Sequence, residues 1–188
     1  MIYINGRFLI NNPTGIENFA YGMCKAMLEK GIKFIILTPK SAIRSYDVIG
    51  FDMIKIGLFT GPLWEQIDLS FFMIGKSRDI LISFSGAGSL IIKNQIITIH
   101  DVAVFQHPEW FSKTYSILYK TITPIIARKS KAILTVSEFS KREITNLFGI
   151  NSDKVIVTYS SPKNYSKCDL IHEQQNNTNI ISSPYILA

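Results

Sequence analysis

The chain has 188 residues, of which 47% are hydrophobic and 18% are charged, and its formal net charge is +6. This composition excludes a disordered chain and predicts a domain of ordinary size with a substantial core. No apolar run reaches the roughly 18 residues that a membrane-spanning helix needs. The N-terminus lacks a signal-peptide pattern, and the two cysteines have neither metal-ligand nor disulfide spacing. We therefore expect reduced thiols and a cytoplasmic location.

Strand and helix patterns alternate along the chain, which predicts an α/β fold with a Rossmann-like open parallel sheet and helices on both faces. In chain order, the predicted strands cover residues 2–4, 34–37, 53–56, 80–84, 96–99, 132–136 and 155–158. The predicted helices cover residues 14–31, 61–74, 113–128 and 137–149.

The end of the chain differs in composition from the rest. Residues 164–183 are polar and rich in Asn and Gln, which predicts a linker or loop. Residues 184–188 resemble the first residues of another strand. We therefore expect a Rossmann-like domain over 1–163, a linker over 164–183 and the start of a second domain at 184–188.

The positive charge is scattered, and it is densest around Arg128, Lys129 and Lys131. A basic domain attracts nucleic acid, anionic membrane surfaces or phosphorylated ligands, and a merely solvated basic surface is an equal alternative. Basic and aromatic residues do not alternate as they do in a single-strand-binding groove. We therefore expect no nucleic-acid partner and favour a diphosphate ligand or peripheral contact with a membrane surface.

The segment Thr14-Gly15-Ile16-Glu17 lies between the first strand and the first helix. It fits a capping box, in which Thr14 caps the helix and Glu17 reaches back to an N–H group. It also fits a site where an anion meets the helix amino end and Gly15 allows close approach. Neither a dinucleotide fingerprint nor a Walker A loop is present, so hydride transfer and NTP hydrolysis have no direct support.

Two pairs of polar residues follow predicted strands directly. His100 and Asp101 end the fifth strand, and we expect them at the rim of the sheet, because burying them without partners would be costly. Asp101 is expected either to orient the imidazole or to cap the next turn. Ser137 and Glu138 follow the sixth strand, where a helix cap is favoured over a ligand-facing helix end.

Five short motifs occur in order: Pro13-Thr14-Gly15-Ile16-Glu17, Leu63-Trp64-Glu65-Gln66, Thr98-Ile99-His100-Asp101, His107-Pro108-Glu109-Trp110-Phe111 and Val136-Ser137-Glu138-Phe139-Ser140. Together they resemble the N-terminal half of retaining glycosyltransferases of family 4. They resemble in particular the bacterial mannosyl- and rhamnosyltransferases of O-antigen and capsule synthesis. The resemblance covers residues 1 to about 160. It implies one half of the GT-B fold, in which two Rossmann-like domains face each other across a cleft.

The resemblance also implies roles for individual residues. The Thr14-Gly15-Ile16-Glu17 loop would lie near the diphosphate of a nucleotide-sugar donor. His100 would lie near the hydroxyls of the transferred hexose, with Asp101 supporting it. Ser137 and Glu138 would lie at the rim of the cleft. The acceptor implied is a polysaccharide or a lipid-linked glycan, and the chain alone is expected to be inactive because the donor-binding half is absent.

The reaction implied by the resemblance does not require a metal ion. Transfer with retention develops positive charge on the sugar ring and negative charge on the leaving diphosphate, which a helix amino end and basic side chains stabilise. The chain has no Asp-x-Asp cluster and no His/Cys ligand set, so we expect no metal and no other cofactor. The alternative is a non-catalytic remnant that binds a glycan or phospholipid.

Overall fold

A computed structural model describes residues 1–41 and 46–159. Seven parallel strands form one sheet in the order β3-β2-β1-β4-β5-β6-β7. The strands are β1 (Ile2–Asn5), β2 (Ile35–Thr38), β3 (Met53–Lys55), β4 (Ile80–Ser83), β5 (Gln95–Thr98), β6 (Ala132–Thr135) and β7 (Val155–Val157). The predicted α/β class and open, Rossmann-like parallel sheet are confirmed. The expected linker at 164–183 and the strand at 184–188 lie outside the described residues.

Helices connect the strands. They are α1 (Gly15–Glu29), α2 (Gly61–Trp64), α3 (Ser70–Met73), α4 (Ala103–Gln106), α5 (Lys113–Lys129) and α6 (Glu138–Phe148). A π-helical turn over Glu65–Leu69 joins α2 to α3, so residues 61–73 form one continuous helical segment. A 3₁₀ turn over Gly6–Ile10 follows β1, where the sequence analysis predicts neither a strand nor a helix.

The two faces of the sheet bury different helices, because successive strand residues point to opposite sides. Ile4, with its strand neighbours on the same face, packs in one cluster with Ala20 and Cys24 of α1. Tyr3, one residue earlier, packs with Trp64 and the rest of the α2–α3 segment in another cluster. A third cluster joins β5 and β6 to α5 and α6. Helices therefore cover both faces of the sheet, as predicted.

The strand order reverses between β1 and β4, so the connections from these two strands lead away in opposite directions. In open α/β sheets a crevice forms at the carboxyl edge beside this switch point, and ligands bind there. The residues that follow β1, β4 and β5 meet at this edge, because the three strands are neighbours in the sheet. The topology thus brings the loops containing Arg7, Gly86 and His100 together.

Candidate active site

A cavity of about 270 Å³ opens at the carboxyl edge, beside the switch point of the sheet. Its wall combines residues that follow β1, β4 and β5 with one side of α5. The residues that matter for the chemistry are Arg7, Glu17, Thr98, His100, Asp101, Tyr115, Tyr119 and Thr123. Among the candidate site residues of the sequence analysis, three line the cavity: Glu17, His100 and Asp101. The described residues that line the cavity do not include Thr14, Gly15, Ser137 or Glu138.

His100 is half-buried, and its ring orientation is fixed by two neighbours. Its Nε2 lies 3.3 Å from the carbonyl oxygen of Phe84, and the ring of Phe19 meets it edge-on with 5.1 Å between centroids. Because a carbonyl can only accept, Nε2 carries the proton of this hydrogen bond. Burial lowers the pKa of His100, although the Phe84 carbonyl and the charge of Asp101 partly oppose this effect. The ring is therefore neutral near pH 7, and its Nδ1 is a hydrogen-bond acceptor.

Asp101 takes the second of its two expected roles. Its side chain is exposed, and Oδ1 accepts a hydrogen bond from the backbone N–H of Ala103 at 2.9 Å. Asp101 thereby caps the turn that leads into α4, as Asx side chains commonly do. Its influence on His100 is electrostatic, because its negative charge favours the protonated imidazole.

The capping box predicted at the start of α1 is wrong. Thr14 occupies the cap position but its side chain accepts no hydrogen bond from the first turn within the described residues. The Thr14 hydroxyl instead donates to the carboxylate of Glu17, which also accepts from Asn11 Nδ2 at 3.1 Å. These two donors hold Glu17 at the cavity wall and away from the backbone N–H groups. A Cβ placed on Gly15 would meet no atom within 4 Å, so the space beside the helix start is open.

The cap predicted at the start of α6 is confirmed. Ser137 has an extended backbone, and its Oγ accepts a hydrogen bond from the backbone N–H of Ser140 at 3.0 Å. Glu138 is exposed in the first turn of the helix, where a negative charge interacts favourably with the helix dipole. The structure thus gives Ser137 a structural role, and its placement at a cleft rim stays a prediction.

The sequence analysis missed a buried ion pair behind the cavity. Arg7 Nη1 lies 2.5 Å from Glu65 Oε2, and the two side chains are only 14% and 1% exposed. Asn5 Nδ2 donates to the other carboxylate oxygen at 2.7 Å. Glu65 belongs to the π-helical turn, a feature that occurs frequently at functional sites. A Cβ at Gly86 would lie 2.0 Å from Glu65 Oε1, so the β4 exit must have glycine here.

The ion pair adjoins two stacked tyrosines in the cavity wall, Tyr119 and Tyr115. Burial alone would lower the pKa of Arg7, but the Glu65 carboxylate and the hydroxyl of Tyr119 raise it above its ordinary value, so the guanidinium stays charged. Tyr119 stacks on Tyr115 with 4.1 Å between ring centroids. Burial also raises the pKa of Tyr115, and a hydrogen bond with Tyr119 adds to this effect. Arg7, Tyr115 and Tyr119 all line the cavity.

The described part of the chain contains no group of three or more His, Cys, Asp or Glu side chains placed to hold a metal ion. The expectation that the reaction needs no metal stays a prediction. Among residues 1–41 and 46–159, no helix combines the length and apolar character that crossing a bilayer requires.

The sheet order and the cavity define a Rossmann-like α/β domain with a cavity at the switch point of the sheet, where open α/β sheets generally bind ligands. Residues 13–160 match the model of Glycosyltransferase Family 4, and the chain belongs to this family. This confirms the resemblance inferred from the five motifs. The open parallel sheet is consistent with one half of a GT-B architecture.

Two curated relatives carry the name of an O-antigen chain mannosyltransferase. The chain is 28% identical over 85 residues to O-antigen chain mannosyltransferase RfbU of Salmonella typhimurium. This matched segment covers 45% of the chain and 23% of that relative. The chain is 31% identical over 67 residues to O-antigen chain mannosyltransferase B of Escherichia coli. This matched segment covers 36% of the chain and 18% of that relative. The matched segments therefore span about a fifth of each relative's length.

Proposed function

We propose that this chain is the acceptor-side domain of a retaining glycosyltransferase. The reaction transfers a hexose such as mannose or rhamnose from a nucleotide sugar to a polysaccharide or a lipid-linked glycan. The observation that carries the proposal is the cavity at the switch point, which unites a neutral, oriented imidazole with buried polar side chains. The names of the two relatives support a mannosyl donor.

The geometry supports a division of roles within this site. His100 lines the cavity and its Nδ1 is a hydrogen-bond acceptor, so the ring is suited to bind a hydroxyl of the transferred sugar. The Thr14–Gly15 segment leaves open space at the amino end of α1, a 15-residue helix whose dipole favours a diphosphate. Such a helix end stabilises the negative charge of the leaving group without reorganisation during the reaction. Ser137 and Glu138 lie at the start of α6, after the neighbouring strand β6, and would form the rim.

The proposal also includes peripheral contact with the cytoplasmic face of a membrane. The exposed side of the α2–α3 segment carries four apolar residues that are at least 36% exposed and spaced by four, four and three positions: Leu63, Ile67, Phe71 and Ile74. We call these four residues the apolar helix face. Ile91 joins it at a shallow groove that Lys76 and Lys93 also line. Apolar side chains flanked by lysines fit the surface of an anionic lipid bilayer.

A transfer assay tests the enzymatic proposal. Nucleotide sugars are screened against a lipid-linked glycan acceptor with the 188-residue chain and with a longer protein that adds a second α/β domain. We expect transfer with retained anomeric configuration only from the longer protein, because this proposal assigns the diphosphate contact to the start of α1 and the rest of the donor site to the second domain. In the longer protein, His100→Ala should reduce turnover at least tenfold while thermal unfolding stays cooperative. Turnover by the chain alone, or full activity of the folded His100→Ala variant, would contradict these assignments.

The same assay separates the alternative of a non-catalytic binding module. A longer protein that binds the glycan acceptor but transfers no sugar from any nucleotide donor would support that alternative. Only the loss of transfer distinguishes the two, since both proposals expect glycan binding at the cavity.

A further inference from the structure

The segment that joins β4 to β5, residues 84–94, contains no helix. We call it the β4–β5 connection. Crossovers between parallel strands usually contain a helix, which satisfies its own backbone groups. A crossover without one must satisfy its N–H and carbonyl groups through other contacts. In this connection many of those contacts come from side chains of neighbouring elements, so its shape is set by its surroundings.

The far half of the connection is held from two sides. The Gln66 amide donates to the carbonyl of Gly88 at 2.7 Å and accepts from the backbone N–H of Leu90 at 3.0 Å. The buried Gln95 amide holds Ser89 in the same manner, accepting from its N–H at 3.0 Å and donating to its carbonyl at 2.6 Å. Residues 88–90 are therefore a fixed end of the connection.

The near half of the connection packs against Glu65, the residue next to Gln66 in the π-helical turn. Gly86 has a φ of +80°, and a Cβ added there would overlap Glu65 Oε1. The backbone N–H of Ala87 interacts with the same carboxylate and favours its charged form. Arg7 and Asn5 fix the carboxylate from its other side. The fixed carboxylate thus limits how closely residues 86 and 87 can approach the helical segment.

The same near half contains the hydrogen-bond acceptor of His100. Phe84 lies two residues before Gly86, and its carbonyl oxygen accepts the hydrogen bond from His100 Nε2. A neutral imidazole can carry its proton on either nitrogen, and the partner of one nitrogen decides which form is present. The backbone path from Phe84 to Gly86 therefore selects the tautomer of His100.

We propose that Glu65 is a positioning residue: by packing against Gly86, it fixes the Phe84 carbonyl and thereby keeps the proton of His100 on Nε2. Gln66 supports this role, because it holds the far end of the connection. The inference rests on the proposed function, since it assigns a role within the same site. Glu65 acts through His100 and does not contact the substrate.

Two glycines of the chain provide matched variants. Gly86 and Gly31 both have a positive φ, +80° and +68°, so an added Cβ strains both backbones. At Gly31 the Cβ would meet no atom of the described residues within 4 Å, whereas at Gly86 it would meet Glu65. Comparing Gly86→Ala with Gly31→Ala therefore separates the contact with Glu65 from backbone strain. If Gly86→Ala does not fold, Gly86→Asn and Gly31→Asn replace the pair, because Asn tolerates a positive φ.

A third variant changes Glu65 itself. Glu65→Asp keeps the charge that Arg7 requires and draws the carboxylate back from Gly86. Glu65 is not among the described residues that line the cavity, so this variant leaves the cavity wall itself unchanged. It also makes room for the Cβ of Gly86→Ala, so the effects of the two substitutions should not add.

The experiment reads the tautomer of His100 by NMR of the 188-residue chain with 15N-labelled histidine, at about pH 7.5 where the ring is neutral. The parent chain and Gly31→Ala should have the proton on Nε2. In Gly86→Ala and in Glu65→Asp the ratio of the two tautomers should fall about fivefold, the effect of one weakened hydrogen bond. Adding Gly86→Ala to Glu65→Asp should change the ratio little further.

Transfer by the longer protein gives the second measurement. Glu65→Asp should lower kcat about tenfold with little change in KM for the nucleotide sugar, because misplacing a group beside the reacting atoms affects transfer more than binding. Gly31→Ala should transfer sugar as the parent protein does.

Two results would overturn the inference: an unchanged tautomer in the folded Gly86 and Glu65 variants, or an equal change in the Gly31 variant. The NMR measurement uses the chain alone, so it does not depend on sugar transfer. The expected tautomer changes, without transfer by the longer parent protein, would refute the enzymatic proposal and leave the link between Glu65 and His100 standing. Transfer with an unchanged kcat in Glu65→Asp would do the reverse.

Discussion

At the scale of single residues, the surroundings of His100 determine what its ring can do. The Phe84 carbonyl holds the proton on Nε2, and the edge contact with Phe19 restricts rotation of the ring. Because burial disfavours the imidazolium, the ring is neutral near pH 7. In the proposed transfer, a neutral imidazole with an acceptor nitrogen is suited to orient a sugar hydroxyl, whereas a cation at this position would oppose the positive charge that develops on the sugar ring.

This environment predicts a pH dependence of stability. The pKa of His100 is lowered by burial in the folded state, so the unfolded chain binds the proton more tightly. The free energy of unfolding should therefore fall as the pH drops below about 6.5, the ordinary histidine pKa. In His100→Gln, whose amide can still donate to the Phe84 carbonyl, this part of the loss should disappear. Urea unfolding at a series of pH values from 7.5 to 5 measures the effect.

The exposed histidine His107 provides the control for this measurement. It stacks on Trp110 outside the cavity, so His107→Asn should keep the decrease below about pH 6.5. An unchanged pH profile in His100→Gln would show that the buried imidazole does not carry the linkage.

The Arg7–Glu65 pair raises the question of why two charges are buried here. A buried ion pair is weak evidence for stability, because an apolar pair of similar volume often serves as well. This pair, however, adjoins the cavity and is surrounded by specific contacts. Glu65 accepts a hydrogen bond from Asn5 and packs against Gly86, and Arg7 interacts with the hydroxyl of Tyr119. Its location at the carboxyl edge indicates a role in shaping the site.

At the scale of elements, two helices with similar starting sequences begin in different ways. Ser137 caps α6 through its side chain, but the Thr14 hydroxyl donates a hydrogen bond to the carboxylate of Glu17. The difference arises because Asn11 and Thr14 both donate to the Glu17 carboxylate. The Thr14 side chain therefore makes no hydrogen bond with the backbone N–H groups at the start of α1. The amino end of α1 is thus without a side-chain cap from Thr14, and a ligand can take that place.

This difference predicts unequal effects of removing the two hydroxyls. Ser137→Ala should cost about 1 kcal/mol of stability and speed hydrogen exchange at the backbone amide of Ser140, which loses its acceptor. Thr14→Ala should leave amide exchange in the first turn of α1 unchanged, since no amide there bonds to the Thr14 side chain. Native-state hydrogen exchange by NMR measures both variants, and faster exchange in α1 of Thr14→Ala would contradict the structure.

The elements that sequence patterns predict well are those with a strong local signal. The seven strands are predicted to within one or two residues, because buried parallel strands are continuous apolar runs. The 3₁₀ turn over Gly6–Ile10 and the four-residue helix α4 are too short to show periodicity. Family motifs identify His100, but the pairing of Arg7 with Glu65 joins residues 58 positions apart. No local pattern encodes that contact, although a glutamate inside an apolar helical segment is a usable signal.

At the scale of the whole molecule, the site and the apolar helix face belong to the same helical segment. Glu65 projects inward from this segment to Arg7 in the cavity wall, while Phe71 projects outward and is 72% exposed. Contiguous apolar residues on a soluble surface generally mark a contact with a partner or a membrane. Lys76 and Lys93 beside this face favour an anionic surface, such as that of acidic lipids, over a neutral or basic one. Docking through this face would place the cavity near a lipid-linked acceptor.

Membrane docking predicts that one acidic substitution on the apolar helix face weakens binding to lipid vesicles. For Phe71→Asp we expect about tenfold less binding to vesicles of phosphatidylcholine and phosphatidylglycerol, since a buried aromatic side chain contributes about 1.5–3 kcal/mol. Ile49→Asp is the matched control, because Ile49 is 86% exposed and lies in the loop beside the α1 side of the sheet. Binding should also weaken in high salt, which screens the lysines. Vesicle flotation measures these effects, and equal flotation of the two variants, or none by the parent chain, would refute docking through this face.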